Sequence, residues 1–270
     1  MQPKLGILAG GGELPRLLIQ ACRKAGRDVF VIAFKDQCDQ QTTTDADHAW
    51  VRIGAAGKSI KLLKNNGVVD LVMAGRIRRP SIAALMPDAR AIKFIAGGVM
   101  NRGDDGVLRS LIQSLEIDEG FHMVGVHEVM PELLSPEGAL GAIEPTDGER
   151  TDMDAAVHAA LDLGAQDKGQ AAVAAHGEIV ALEEQDGTDA MLRRLIENGA
   201  GRGGVLAKMT KPGQERRADL PAIGQATVEN AHAAGLKGIV VEAGGSIIVG
   251  RDAVIQTADE LKLFVIGVKP

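Results

Sequence analysis

The chain has 270 residues, a formal net charge of −6 at pH 7 and a hydrophobic fraction of 45%. This length is enough for one large or two compact domains, and the composition is that of an ordinary soluble globular protein. The negative charge argues against non-specific binding of nucleic acid and against a polybasic membrane-binding surface. Aromatic residues make up only 2% of the chain, so the core must be built mainly from Val, Ile, Leu and Ala.

Neither the cysteines nor the N-terminus carries a specialised signal. Cys22 and Cys38 are not spaced like zinc ligands and indicate no disulfide framework. The first residues run directly into a strand pattern without a signal peptide. No apolar stretch approaches the roughly 18 residues that span a bilayer. These features predict a cytoplasmic protein.

The N-terminal half alternates short apolar strands with amphipathic helices. Strands are predicted at residues 4–9, 29–34, 68–74 and 121–126. Helices are predicted at residues 14–25, 81–95 and 105–116. This alternation indicates βαβ units and a largely parallel sheet.

A second α/β pattern follows a segment at residues 131–150 that is rich in Pro, Gly and acidic residues and has no periodicity. Helices are predicted at residues 153–163, 189–197 and 227–234, and strands at 170–175, 178–182, 203–207, 238–242, 246–249 and 263–268. The resulting prediction is a two-domain α/β protein with its active site in the cleft between the domains. A Rossmann-like nucleotide-binding domain (1–132) and a linker (133–150) precede a smaller mixed α/β domain that carries catalytic and lipid-binding functions (151–270).

The connection at residues 208–227 is about twenty residues long, where a strand-to-helix connection usually has only a few. Loops beyond the carboxyl ends of parallel strands are where α/β proteins bind ligands. Its charged side chains are Lys208, Lys211, Arg216, Arg217, Glu215 and Asp219. The cations suit a phosphorylated ligand, and a carboxylate among them suits a divalent metal that bridges to phosphate. The alternative is a solvated loop with paired surface charges.

Two glycine-containing turns follow predicted strands. The first reads Gly10-Gly11-Gly12-Glu13-Leu14-Pro15 and lets the backbone approach a phosphate or ribose beside a helix N-terminus. It departs from GxGxxG, so a dinucleotide site is disfavoured and a mononucleotide or nucleotide-sugar site stays open. The second reads Gly75-Arg76-Ile77-Arg78-Arg79-Pro80, in which an arginine fork could bind phosphate or uracil oxygens or simply face solvent.

Two predicted helix starts combine capping residues with possible ligands. Asp104 and Asp105, which follow Arg102, could hold a metal or a ribose, or one of them could be a plain N-cap. Thr188 and Asp189 could likewise cap a helix or contact a ligand there. The six histidines show no metal-ligand spacing, and no GxSxG motif or Ser/His/Asp arrangement is present.

Seven motifs occur in order over nearly the whole chain: AGGGELP, GRIRRP, GDDGVLRS, GFHMVGVHEVMPELLSPEG, GTDAMLRR, VLAKMTKPGQERRADLPAIG and GLKGIVVEAG. Each is weak alone, but the ordered set resembles the LpxI-type UDP-2,3-diacylglucosamine diphosphatases of Gram-negative lipid A synthesis. The resemblance implies a hydrolase dependent on Mg²⁺ (or Mn²⁺) that forms UMP and 2,3-diacylglucosamine 1-phosphate, known as lipid X. It leaves open a homodimer and peripheral contact with the inner membrane.

The resemblance also assigns roles to residues. Lys208, Lys211, Asp219 and position 226 are the predicted catalytic positions, with Asp219 and Asp105 as metal ligands. Substrate contacts are predicted for Gly11, Gly12, Glu13, Leu14, Gly75, Arg76, Asp104, Asp105, Thr188, Asp189, Arg217, Gly224 and Thr227.

One position departs from the family pattern, which carries Asp immediately before Thr227, where this chain has Ala226. We therefore hypothesise an impaired, substrate-trapping variant; the alternative is that Asp219 supplies the carboxylate. A non-catalytic nucleotide-sugar-binding protein is the second hypothesis, and the imperfect glycine loop disfavours a dehydrogenase.

Overall fold

The computed structural model describes residues 2–78, 86–96 and 104–270, and gives the backbone alone for residues 93–96, 104, 105 and 107. The chain forms two compact units. The first comprises Met1–Pro131 with Glu215–Asp219, and the second Glu132–Gln214 with Leu220–Pro270. The predicted α/β class with two domains is confirmed. The exact domain boundaries and the position of the active site stay predictions.

The first unit is built on a five-stranded parallel sheet. Its strands are β1 (Leu5–Ala9), β2 (Val29–Phe34), β3 (His48–Val51), β4 (Asp70–Ala74) and β5 (His122–Met123), in the order β3-β2-β1-β4-β5. The central strands are apolar and almost fully buried, as expected where helices cover both faces of a parallel sheet. The predicted Rossmann-like parallel sheet is therefore confirmed.

The strand order of this sheet reverses between β1 and β4. From β1 the chain moves outward through β2 to β3, and it then crosses back to place β4 and β5 on the other side of β1. Open α/β sheets bind ligands outside the carboxyl ends of the strands at such a reversal. The glycine turns after β1 and β4 both lie at this point.

Within the described residues, the helices of the first unit are α1 (Leu14–Lys24), α2 (Ala56–Asn65), α3 (Ala89–Ala96), α4 (Asp104–Ile117) and α5 (Val126–Val129), with a 3₁₀ helix at Gln40–Thr43. Pro15, in the first turn of α1, is naturally placed because its missing N–H would have no helical partner there. The predicted helix 81–95 is observed only from Ala89, since residues 79–85 lie outside the described residues. The predicted strand 121–126 is shorter than expected because Gly125 instead caps α5.

The second unit contains a six-stranded mixed sheet in the order β6-β13-β11-β9-β7-β8. Its strands are β6 (Gly138–Ala139), β7 (Ala171–Ala175), β8 (Glu178–Leu182), β9 (Val205–Lys208), β11 (Gly238–Glu242) and β13 (Phe264–Val268). β9, β11 and β13 are parallel to one another, and β7 runs antiparallel to both β8 and β9. The predicted hairpin around His176 and Gly177 is confirmed, and both residues have positive φ, as a tight hairpin turn requires.

A smaller parallel pair and four helices complete the second unit as described. The pair is β10 (Ala222–Ile223) with β12 (Ile247–Ile248). The helices are α6 (Asp147–Ala165), α7 (Thr188–Asn198), α8 (Gln225–Ala233) and α9 (Arg251–Leu261). α6 begins inside the predicted linker because Thr146 and Glu149 form a reciprocal capping box.

The core of the second unit is packed with small side chains. Ala156 and Ala160 of α6 are buried against β7, whose sequence is AAVAA. Methyl-sized groups on both elements allow the helix to approach the sheet closely, which explains how a chain poor in aromatic residues fills its core. No helix in the described ranges is long and apolar enough to cross a membrane.

Candidate functional site

The glycine turns of the first unit are joined to each other by main-chain hydrogen bonds. The N–H of Gly11 donates to the carbonyl of Arg76, and the N–H of Arg76 donates to the carbonyl of Gly11, both at 2.9 Å. A Cβ added to Gly10 would lie 2.4 Å from the carbonyl oxygen of Arg76, and one added to Gly11 would lie 2.7 Å from that of Gln37. These two glycines are therefore required by the close approach of three loops.

Gly12 differs from its two neighbours. Its φ is +90°, and a Cβ built on it would meet no described atom within 4 Å. Its N–H points to the Asp39 carboxylate at 3.3 Å, and the exposed Glu13 and half-buried Leu14 follow it at the start of α1. The open surface of this edge therefore begins at Gly12.

The fold thus brings six of the predicted substrate-binding residues to one edge of the first sheet: Gly11, Gly12, Glu13, Leu14, Gly75 and Arg76. Gly75 has a φ of +89° and packs against the Gly10–Gly11 backbone, while Arg76 is exposed. Arg79 and residues 101–103 lie outside the described residues, and the side chains of Asp104 and Asp105 are not described.

Arg217 is engaged by two carboxylates of the first unit. Its Nε and Nη2 donate to the two oxygens of Glu215 at 2.9 Å each, and its Nη1 donates to Glu116 at 2.7 Å. The hydrogen bonds from Arg217 lower the pKa of Glu215, and those to Glu215 raise the pKa of Arg217 further above its ordinary value. This network fixes the short segment Glu215–Asp219 against α4.

Of the two predicted metal ligands, Asp219 is the one whose side chain the structure describes. It is half-buried, and its N–H donates to the carbonyl of Glu215 at 2.9 Å. Across the described part of the chain, no group of three or more His, Cys, Asp or Glu side chains could hold a metal ion. Mg²⁺ often takes only one or two protein carboxylates together with substrate phosphates. The described side chains alone do not form a metal site, and the magnesium ion stays a prediction.

Lys208 is a buried cation at the carboxyl end of β9. The residue is 7% exposed, and its Nζ donates to the carbonyl of Ala222 in β10 at 3.0 Å. The chain then passes through Gly224, whose N–H donates to the hydroxyl of buried Thr227 at 3.3 Å. Ala226 is exposed in the first turn of α8. The structure therefore brings four predicted positions to the region around β10.

Lys211 is held away from open solvent by the end of α6. Its Nζ is 2.8 Å from Asp167, and its own N–H donates to Gln214 at 2.9 Å. Its side chain is 13% exposed. A phosphate bound by Lys211 would have to compete with Asp167.

Thr188 belongs to a buried hydrogen-bond network. Its hydroxyl donates to Glu183 at 2.5 Å, and the other oxygen of Glu183 accepts from the N–H of Gln170 at 2.7 Å. The side-chain amide of Gln214 donates to the side-chain oxygen of Gln170, and its own side-chain oxygen accepts from the main-chain N–H of Lys211. Asp189 is half-buried in the first turn of α7. The network connects the start of α7 with the loop that follows Lys208.

Several residues that organise these two regions were not predicted from the sequence. Gln37, Asp39 and Glu116 act in the first unit, and Glu183 and Gln214 in the second. None belongs to a motif with a characteristic spacing. The one usable signal was the position of Gln37 and Asp39 just beyond the carboxyl end of β2, where ligand-binding loops lie.

Comparison with known proteins places both units in one family. A family model described as the LpxI N-terminal domain matches residues 4–133, and the LpxI C-terminal domain matches residues 136–266. The UDP-2,3-diacylglucosamine pyrophosphatase LpxI of Caulobacter vibrioides is 44% identical over 276 residues, which cover 99% of this chain and 98% of the relative.

Similarity to solved structures adds little. N5-carboxyaminoimidazole ribonucleotide synthetase from Thermotoga maritima aligns with a TM-score of 0.25 and 13% identity, over 68% of this chain and 42% of that one. A biotin carboxylase domain of Hydrogenobacter thermophilus aligns with a TM-score of 0.26 and 16% identity, over 73% and 41%. Scores this low support no conclusion about the site. The matches to both LpxI domains and the identity over nearly the full length are sufficient: the chain belongs to the LpxI family.

Proposed function

We propose that this chain acts on UDP-2,3-diacylglucosamine and that the reaction of its fold is hydrolysis of the diphosphate to UMP and 2,3-diacylglucosamine 1-phosphate. The observation that carries the proposal is the 44% identity over 99% of the chain to a relative named for that pyrophosphatase activity. The reaction belongs to lipid A synthesis.

The geometry of the first unit supports a nucleotide as part of the substrate. The Gly11, Gly12 and Arg76 backbones meet where the strand order reverses, which is the usual ligand position in such sheets. The exposed guanidinium of Arg76 is a suitable partner for phosphate and for base oxygens. We assign the nucleoside end of the substrate to this edge.

Lys208 is the best candidate to offset charge on the diphosphate. A buried ammonium has few waters around it, so its attraction for an approaching phosphate is screened less than that of a surface lysine. Lys211 is a second candidate, and the phosphate would compete with Asp167 for its ammonium group. Arg217 acts more indirectly, because its guanidinium already binds Glu116 and Glu215.

A divalent cation, Mg²⁺ or Mn²⁺, is part of the proposal, with Asp219 and Asp105 as its protein ligands. Such an ion would neutralise charge on the diphosphate. The expected result is UMP release that is abolished by a chelator and restored by added Mg²⁺. Release that is insensitive to chelation would remove the ion from the proposal.

Ala226 leads us to propose that this chain is impaired in catalysis while retaining substrate binding. The first turn of α8, as described, contains no acidic side chain. A carboxylate there would lie on the helix that follows β10, and Lys208 donates its hydrogen bond to the carbonyl of Ala222 in β10. Loss of one essential group in such a site lowers the rate by roughly 10²-fold or more.

The test is Mg²⁺-dependent release of UMP from UDP-2,3-diacylglucosamine by the chain and by its Ala226→Asp variant. We expect release to rise by roughly 10²-fold in Ala226→Asp. Ala233→Asp, at the exposed far end of the same helix, is the matched control and should give no gain. Equal activity of the chain and Ala226→Asp would assign the essential carboxylate elsewhere, with Asp219 the first alternative.

A further variant tests the phosphate contact. In the active background, Lys208→Ala should lower kcat/KM, since the buried charge is lost; unchanged kcat/KM would exclude Lys208 from that role.

The second candidate is a non-catalytic nucleotide-sugar-binding protein, which Ala226 specifically favours. Substrate that raises the melting temperature without product, even with Ala226→Asp, would support it. In both cases we propose a cytoplasmic location, with peripheral contact to the inner membrane because the substrate is a lipid. We also propose a homodimer, which measurement of the molecular mass in solution would test.

A further inference from the structure

We propose that Asp39 recognises the ribose of the bound nucleotide by accepting hydrogen bonds from its hydroxyl groups. The inference rests on the proposed function, because it concerns the same nucleotide site. It identifies the residue that distinguishes a ribonucleotide from a deoxyribonucleotide there.

The position of Asp39 in the fold is the first argument. β2 is the neighbour of β1 on the side away from β4, and Asp39 lies five residues beyond the end of β2. In Rossmann domains that bind dinucleotides, an acidic residue about 20 residues beyond the glycine turn bonds the ribose. The turn of this chain lacks their GxGxxG pattern, so the comparison concerns only the place of the acidic residue in the fold. Asp39 is 27 residues beyond Gly12 and approaches it directly.

The contacts of the Asp39 side chain are the second argument. Asp39 precedes the 3₁₀ helix Gln40–Thr43, and its main-chain carbonyl accepts from the N–H of Thr42. Its carboxylate does not cap that helix but accepts from the N–H of Gly12 at 3.3 Å. This hydrogen bond is long, and it is the one that the carboxylate makes within the described residues. Most of its acceptor capacity is therefore available to a ligand.

The loop that carries Asp39 is held in place by Gln37. The side chain of Gln37 forms a two-way clamp on the main chain of Arg78, accepting from its N–H at 2.8 Å and donating to its carbonyl at 3.2 Å. The carbonyl of Gln37 packs against Gly11. A recognition group on a fixed loop loses less conformational entropy on binding, so the carboxylate is preorganised beside the open surface at Gly12.

Other acidic residues at this edge are placed less well. Glu13 is exposed and lies 3.9 Å from Arg16 on the surface of α1. Asp36 has a φ of +63° in the turn after β2 and makes no hydrogen bond or ion pair with the glycine turn among the described residues. Asp36 therefore serves as the control, because it has the same chemistry on the same loop.

The expected energetics follow from the type of bond. Hydrogen bonds to a charged acceptor contribute about 1.5–3 kcal/mol, which corresponds to roughly 10-fold to 10²-fold in affinity. Removing one hydroxyl from the ligand should therefore weaken binding to the wild-type chain by roughly tenfold. The penalty should vanish when residue 39 has no side-chain acceptor, as in Asp39→Ala.

The experiment measures binding of UMP, 2′-deoxy-UMP and 3′-deoxy-UMP by calorimetry to the wild-type chain and to Asp39→Asn, Asp39→Ala and Asp36→Asn. We expect the wild type and Asp36→Asn to disfavour at least one deoxy ligand by roughly tenfold, and Asp39→Ala to bind all three within about twofold. Asp39→Asn should show a smaller penalty than the wild type, because its amide oxygen is an uncharged acceptor. Thermal unfolding of each variant checks that the fold is retained.

Two results would overturn the inference, and they have different meanings. If Asp39 variants keep the full penalty for the deoxy ligands, Asp39 does not contact the ribose, while UMP binding by the wild type still supports the proposed function. If the wild type binds none of the three ligands, both the inference and the nucleotide site fail. Neither readout needs the lipid, a metal or catalytic activity.

Discussion

The carboxyl edges of the two sheets are built in different ways. In the first unit, loops meet through main-chain contacts that only glycine allows, as at Gly10 and Gly11. In the second, loops are tied by buried side chains, with Glu183 and Gln214 bonding the main chain and Lys208 reaching β10. The first edge is therefore sensitive to added volume, and the second to lost hydrogen-bond partners.

The largest effect is expected for Glu183→Ala in the second unit. The substitution leaves the hydroxyl of Thr188 and the N–H of Gln170 without their buried acceptor. We expect the free energy of unfolding to fall by about 3 kcal/mol, since each orphaned group costs about 1–3 kcal/mol. Glu184→Ala, at an exposed neighbour 3.9 Å from Arg194, should change the free energy of unfolding much less, because solvent screens a surface ion pair. The measurement is urea unfolding followed by circular dichroism. If Glu183→Ala and Glu184→Ala lowered the free energy of unfolding equally, the buried hydrogen bonds would not be what stabilises the second edge.

Gly10→Ala tests the first edge. Its Cβ would lie 2.4 Å from a main-chain oxygen that cannot move without disturbing the link between the two turns. We expect a loss of about 2 kcal/mol, typical of overpacking. Fluorescence of Trp50, the single tryptophan and a part of β3, reports unfolding of this unit.

A matched control exists at Gly148 in α6, where an added Cβ would meet no described atom within 4 Å. Gly148→Ala should stabilise the second unit by about 0.5 kcal/mol because alanine favours helix. A Gly10→Ala variant as stable as the wild type would mean that the two turns are not in close contact.

The ion pair of Glu215 with Arg217 predicts a pH dependence. Because the pKa of Glu215 is lowered in the folded state, its stabilising contribution is fully present above its ordinary pKa and is lost as pH falls through the lower folded pKa. Glu215→Gln should therefore be less stable than wild type at pH 7, by about 1 kcal/mol, and the difference should shrink below about pH 4.5.

The measurement is the melting temperature of both proteins from pH 7 to pH 3. In an Arg217→Gln background, adding Glu215→Gln should no longer cause a pH-dependent loss of stability, because the partner of Glu215 has been removed. A difference between wild type and Glu215→Gln that stays constant over this range would show that Glu215 has no altered pKa.

The smallest expected effect is the change in the free energy of unfolding caused by Ala226→Asp. A carboxylate in the first turn of α8 interacts favourably with the helix N-terminus, and we expect a gain of about 0.5 kcal/mol that decreases in high salt. Ala233→Asp in the last turn should have the opposite sign. A loss of stability in Ala226→Asp would indicate that nearby anionic groups already occupy this helix end.

Sequence patterns predicted the larger elements well but not the short ones. β3 and α2 were missed, since a four-residue strand carries too little periodicity and the segment before α2 has no strong cap. The predicted linker contains the start of α6, whose Thr146 capping box was a readable signal. Among the site residues, the glycine turns and Lys208 were proposed from sequence. Asp39 and Glu116 were not, because their partners are 27 and 101 residues away along the chain. Glu183 was not, because a single Glu five residues before Thr188 forms no characteristic motif.

The sequence by itself determined the α/β class, the two-part organisation and the LpxI family, because strand and helix periodicities and ordered motifs are local properties of the chain. Only the tertiary structure decided which charged groups have partners. Arg217 meets Glu116 from 101 residues away, and Gly12 meets Asp39 from 27 residues away. Such pairings depend on strand order and on how loops meet at a sheet edge, and no local pattern of residues encodes either.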